Sequence, residues 1–145
     1  MRDILIACAL AATIGGCAGT STVPLAQDTV QITARAAPIC GAVGAEKLAV
    51  KQAAVETIRR GYDRFVVLNA QAGASYAGNT PIVVQNMGGG MVMASGGQPI
   101  IAPNQGLVIN MFKDGDPQGT NALPAKDTLG ADWREQIKKD SITCL

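Results

Sequence analysis

The spacing of apolar and polar positions changes several times along the chain, and each change marks an element. Residues 4–14 form an almost unbroken apolar run. Residues 29–34, Thr-Val-Gln-Ile-Thr-Ala, alternate polar and apolar side chains at period two and are rich in β-branched residues, which predicts a strand. Over 44–60 the period lengthens: Leu48, Val55, Ile58 and Tyr62 recur near the helical repeat, while Glu46, Lys51, Glu56, Arg59 and Arg60 fall opposite them. This stretch is rich in Ala and free of Pro. It places two arginines in its last turn, where cations favour the helix dipole, and ends at Gly61, so it predicts a helix with a solvated charged face.

After that stop, residues 64–70 are a short continuous apolar run, the mark of a buried strand. Residues 81–87 and 91–94 flank the triplet Gly88-Gly89-Gly90 and predict a hairpin, since glycines supply the positive φ that tight turns need. Residues 106–112 predict a further strand. From Asn121 onward, 123–129 and 132–139 each have the character of a short helix, with Leu129, Trp133 and Ile137 as the buried side and Lys138 and Lys139 in a last turn. The tail 141–145 reads as extended. The expected fold is α+β: one Ala-rich helix packed on a small, mainly antiparallel sheet of three to five strands, with a short C-terminal helix. Residues 29–145 are expected to form one small domain, with a Gly-rich mobile segment at 72–106.

Composition narrows the chemistry. Tyr62, Phe65, Tyr76, Phe112 and Trp133 are all the aromatic residues, so the core must rest on Val, Ile, Leu, Met and Ala. The net charge is +1 with both signs interspersed, which excludes the basic face of a nucleic-acid binder. There is no histidine, which removes the commonest general base and a frequent metal ligand. Asp114-Gly115-Asp116-Pro117-Gln118-Gly119 begins like a calcium loop, but Ala125 stands where the bidentate Glu is required, so a turn is the reading. No phosphate-binding Gly-x-x-x-x-Gly-Lys motif is present and Lys is absent from 52 to 112, so no nucleotide is expected. Ser75 and Tyr76 sit in no catalytic context. No metal, no cofactor and no catalytic residue is predicted.

The amino-terminal run has a specific meaning. Its eleven apolar residues are too few to span a bilayer, which takes about 20, but suit a cleaved export signal, at about 7–15. The Ile14-Gly15-Gly16-Cys17 that follows resembles the lipobox of bacterial lipoproteins. The resemblance implies cleavage between Gly16 and Cys17, a signal peptide at 1–16, and palmitate-type acylation of Cys17. More than one acyl chain gives lasting membrane attachment where a single chain is marginal. Residues 17–28, small, polar and broken by Pro24, read as a lipidated tether. Ala18 stands where Asp would resemble an inner-membrane retention signal, so the implied address is the outer membrane, facing the periplasm.

With Cys8 in the leader and Cys17 taken by lipid, Cys40 and Cys144 remain as a pair in an oxidising compartment, and a disulfide between them is expected; the alternative is two free thiols. Arg59, Arg60 and Arg64 cluster around Tyr62 and Asp63 and are candidate contacts for an acidic envelope partner, a lipid headgroup or peptidoglycan carboxylates, against the plainer reading of a solvated helix end. Cys40-Gly41, the Ala-rich helix leading into residues 60–65, the Gly-rich middle and the terminal cysteine are together similar to small proteobacterial envelope lipoproteins. In layout they are also similar to the outer-membrane lipoproteins that report envelope damage. The expected function is thus a non-enzymatic, lipid-anchored cell-envelope protein, a structural or partner-binding module. An envelope-stress or signalling lipoprotein contacting its partner through the glycine segment is the alternative, and an unrecognised enzyme the third.

Overall fold

Strands that alternate in sequence bury one face of a sheet, and the one long helix covers that face. The computed structural model describes residues 18–89 and 91–139. The leader, the cleavage position Gly16, the lipidation position Cys17 and the extended tail with Cys144 lie outside the described residues.

In chain order the elements are β1 (Gly19–Pro24), β2 (Thr29–Arg35), α1 (Gly41–Arg59), β3 (Arg64–Asn79), β4 (Val83–Gly88), β5 (Met91–Ser95), β6 (Pro99–Phe112), β7 (Leu123–Pro124), α2 (Ala125–Leu129) and α3 (Trp133–Gln136). Five strands form one antiparallel sheet in the order β1-β2-β6-β3-β7, and β4 and β5 form a two-stranded sheet. The fold is α+β, with one main helix on an antiparallel sheet and short helices at the C-terminal end.

The buried face follows from register. Val30, Ile32 and Ala34 of β2, Leu107, Ile109 and Met111 of β6 and Phe65 of β3 occupy every second position and turn toward α1. Against them α1 lays Ala45, Leu48, Ala49, Ala53 and Val55, all at most 1% exposed. Ala45, Ala49 and Ala53 repeat every four residues, and their lack of bulk brings the helix backbone close to the sheet. Close approach is how a chain with few aromatics still packs densely. The one fully buried hydroxyl among the described residues, Thr57, donates to the Ala53 carbonyl at 2.7 Å, so its burial leaves nothing unpaired.

The helix stops as its sequence predicts. Gly61 takes φ 82°, its amide bonds the Ile58 carbonyl at 3.0 Å, and the Tyr62 amide bonds the Thr57 carbonyl at 2.9 Å. These two bonds are the Schellman closure, which needs a left-handed residue where glycine alone carries no Cβ penalty.

Three boundaries differ from the sequence reading. Residues 17–28, expected as a tether, contain β1: Thr20, Thr22 and Val23 are β-branched and the segment pairs with β2 from Gly19↔Arg35 to Pro24↔Val30. Ala18 packs against the core cluster, so the chain is held from its first described residue. The strand expected at 64–70 runs on to Asn79, and the one expected at 106–112 begins at Pro99. The added residues are mostly Ala, Gly, Ser and Pro, whose local preference for strand is weak; cross-strand pairing to a distant segment decides their conformation.

The expected short helices occur as α2 and α3, with Leu129 buried and Trp133 and Ile137 packed half-buried against the core. Arg134 stands 4.5 Å and Lys126 5.3 Å from the Trp133 ring centre, which places cations on its π face.

Candidate functional site

The three arginines singled out by sequence do not converge. Arg59 donates to the Ile137 carbonyl at 2.7 and 3.0 Å and to the Lys139 carbonyl at 2.9 Å. Arg60 pairs with Glu56 at 3.3 Å, one turn back on α1. Arg64 reaches Asp114 at 2.8 Å and the Ala122 carbonyl at 3.4 Å. Each guanidinium therefore has acceptors on its own chain. The Asp114–Gly119 loop is a turn: Asp116 accepts from the Gln118 amide at 2.9 Å and opens a short 3-10 turn at Pro117–Gly119. Among the described residues no group of three or more His, Cys, Asp or Glu could hold a metal ion, and no helix is long and apolar enough to cross a membrane.

The feature that stands apart is the hairpin formed by β3 and β6 and extended by β4 and β5. The α1 helix covers only its root. Thr80 and Gln98 continue the pairing beyond the ends of β3 and β6, through Thr80 amide to Gln98 carbonyl at 2.9 Å and Gly97 amide to Thr80 carbonyl at 3.0 Å. At the next step Gly96 has φ 108° and a Cβ there would run into the Pro81 carbonyl oxygen, so only glycine lets the two strands pass this close. From there β4 and β5 pair from Val83↔Ser95 onward. The result is one long arm projecting past the body.

Its surface chemistry is unusual for an exposed segment. From residue 65 to residue 112 the sequence has no Asp, Glu, Lys or Arg. Yet Leu68, Tyr76, Ile82, Val83, Val84, Met93 and Ile101, all on the arm, are each about half exposed or more. Monomeric soluble domains rarely leave so many large apolar side chains open on one uncharged segment.

Register sorts the arm into two faces, because residues directly opposite each other in an antiparallel pair share a face. On the side that faces α1 at the root, buried Leu107 and Gln105 stand opposite Ala70 and Ala72, followed by Pro103 opposite Ala74 and Ile101 opposite Tyr76. On the other side Asn69, Gln71, Gly73 and Ser75 stand opposite Val108, Gly106, Asn104 and Ala102. The first face is apolar apart from Gln105. The second mixes Asn69, Gln71, Ser75 and Asn104 with Val108 and Ala102 and carries no charge, and the Asn104 amide donates to the Ser75 hydroxyl at 2.8 Å.

The arm's edges are open. β7 pairs with β3 only at Arg64 and Phe65, which leaves 66–79 with a single partner strand. On the other side β2 pairs with β6 over 104–110 and the Ala36 amide bonds the Pro103 carbonyl at 3.0 Å, so 99–102 have only β3 beside them.

A last relation fixes where the arm leaves the body. Gly19 is paired with Arg35, Arg35 with Asn104, and Asn104 with Gly73, in one line across the sheet. Gly19, close to the start of the described chain, therefore lies level with the root of the arm. The hairpin that the glycine triplet predicts at 81–94 is β4 and β5, while the level shared by Gly19 and Gly73 is set by pairing between segments distant in the chain.

No protein-family model, no curated protein and no solved structure matches this chain.

Proposed function

We propose that the mature chain is a non-enzymatic, lipid-anchored protein of the cell envelope, held by Cys17 to the outer membrane and facing the periplasm. It works as a binding module through the β3–β6 arm. The observation that carries this reading is the arm itself: a long hairpin whose root is part of the core and whose outer half carries exposed apolar side chains, no charge and open strand edges. Open strand edges recruit further strands by main-chain hydrogen bonding, so such an arm is built for contact. The lipobox-like Ile14-Gly15-Gly16-Cys17 supports the anchor, and a Cys40–Cys144 bridge belongs to the same reading, since both require an exported chain.

Labelling cells with an alkynyl palmitate analogue tests the anchor. The wild-type protein takes up label and sediments with the outer membrane, whereas Cys17→Ser takes up none and is found unprocessed or in the soluble fraction. A Cys17→Ser protein that still sediments and carries label ends the lipoprotein reading.

A further inference from the structure

We infer that two copies of this chain pair through the open edge of β3, antiparallel about a two-fold axis beside Ala72. The inference rests on the reading of the arm as a contact surface and names what the arm contacts.

Hydrogen bonding decides which groups the edge presents. The Met111 amide bonds the Asp28 carbonyl at 2.7 Å and the Ala36 amide bonds the Pro103 carbonyl at 3.0 Å, so odd-numbered residues of β6 turn their main-chain groups toward β2. Its even-numbered residues turn theirs toward β3, where Asn104 and Gly106 stand opposite Gly73 and Gln71. The amides and carbonyls of Ala70, Ala72, Ala74 and Tyr76 therefore point out of the sheet, and no strand meets them among the described residues. Residues 68–74 are all exposed.

Sheets commonly protect such an edge with charge, proline or a bulge. Residues 66–79 contain no charged residue and no proline. Register shifts fall between Val67 and Asn69 and between Tyr76 and Gly78, at the two ends, and they leave 69–76 regular. This stretch is open, uncharged and shaped to receive a strand.

The edge also matches itself. About Ala72 the sequence is a chemical palindrome: Ala70 meets the partner's Ala74, Asn69 meets the partner's Ser75, and Leu68 meets the partner's Tyr76. Gln71 meets the partner's Gly73, which has no side chain to obstruct it. β7 occupies only Arg64 and Phe65, so the open stretch 66–79 has its midpoint within one residue of Ala72. Both register shifts lie nearly equidistant from that centre. The outward groups fall into hydrogen-bonded pairs, Ala72 with the partner's Ala72 and Ala70 with the partner's Ala74, which gives about six main-chain bonds. An edge without charge meets no like charge when laid against itself. Leu68 and Tyr76, 60% and 66% exposed, become cross-strand neighbours and cover each other. A strand from an unrelated protein would require none of this symmetry. The contact is isologous, so it closes at two copies, with both α1 helices on the same side of one continuous sheet.

The test uses the full-length protein extracted from membranes in detergent. Hydrogen-bonded partners across an antiparallel pair have Cα atoms about 5.5 Å apart, within disulfide range. Ala72→Cys is therefore expected to give, on mild oxidation, a disulfide-linked dimer absent from wild type. Ala70→Cys and Ala74→Cys are each expected to give none alone, and to couple to each other when the two variants are co-expressed. Ala72→Lys sets two ammonium groups face to face and is expected to raise the dimer dissociation constant at least about tenfold in sedimentation equilibrium. Ala72 lies outside the core, and an unchanged far-ultraviolet circular dichroism signal confirms the fold of each variant. A monomeric wild type, or Ala70→Cys coupling to itself as readily as Ala72→Cys, overturns the pairing. Photo-crosslinking in cells, with p-benzoyl-phenylalanine in place of Gln71, separates the two failures. An adduct of twice the chain's mass containing this sequence alone is expected. An adduct with a different protein overturns self-pairing and leaves the arm a contact surface, whereas no adduct at all removes the reading on which the pairing rests.

Discussion

Phe65 and Met111 stand directly opposite each other across β3 and β6, both turned toward α1 and both at most 1% exposed. Phe65 is the largest fully buried side chain among the described residues, and it sits where the arm's two strands enter the body. Phe65→Ala removes the one aromatic ring that is wholly inside and leaves a cavity between sheet and helix. The expected cost is about 3–5 kcal/mol, a large share of the roughly 5–15 kcal/mol that a domain commands. At a urea slope of about 1–3 kcal/mol/M, the unfolding midpoint falls by a molar or more. Leu68→Ala, three residues on, is the control: Leu68 is 60% exposed and bulges from the ladder between Val67 and Asn69, so its loss shifts the midpoint little. Similar shifts for the two would contradict the assigned core.

Gly61 offers a test free of packing. Its φ is 82° and a Cβ added there meets nothing within 4 Å, so any cost of substitution is in the backbone. Gly61→Ala is expected to lower stability by about 1 kcal/mol, and Gly61→Asn by less, because Asn tolerates the left-handed region better. The melting temperature falls by about 4–8 °C per kcal/mol in a domain of about 100 residues or fewer, and by less in a larger one. Equal melting temperatures for wild type and both variants would show that the Schellman closure contributes nothing.

The parts of this fold that the sequence made legible are those decided locally. The helix could be read from the period of Leu48, Val55 and Ile58 and from the Gly61 stop, and β2 from its strict alternation, because both signals lie within one element. The outer halves of β3 and β6 could not. Ala70, Ala72, Ala74 and Ser75 carry little strand preference of their own, and they are extended because Leu107, Gln105, Pro103 and Ala102 pair with them from more than 25 positions away. β1 escaped for a related reason: Pro24 and a run of small residues look like a tether until β2 is there to receive them. The candidate site was legible only in outline. Its uncharged composition is printed in the chain, but its two faces exist only once the register is known, and the level shared by Gly19 and Gly73 spans four strands.

The Cys40–Cys144 bridge is the remaining prediction, and the described structure gives it a geometry to satisfy. Cys40 precedes α1, while Arg59 at the far end of that helix holds the carbonyls of Ile137 and Lys139. A helix of 19 residues is about 28 Å long. The five residues from Lys139 to Cys144 reach about 17 Å when extended, and a bridge spans about 5.5 Å between Cα atoms. The Arg59 side chain, leaning toward the helix N-terminus, takes up part of the difference. Closing a ring of about 100 residues contributes on the order of 4–5 kcal/mol in the chain-entropy model, an upper figure for measured cases. The protein isolated without reductant is expected to lack two hydrogens against its reduced mass and to resist alkylation at both positions. Cys144→Ser is expected to lower the urea midpoint, and Arg59→Ala in the bridged protein to lower it less, since the bridge then holds the tail alone. Two alkylatable thiols in the untreated protein would end the bridge.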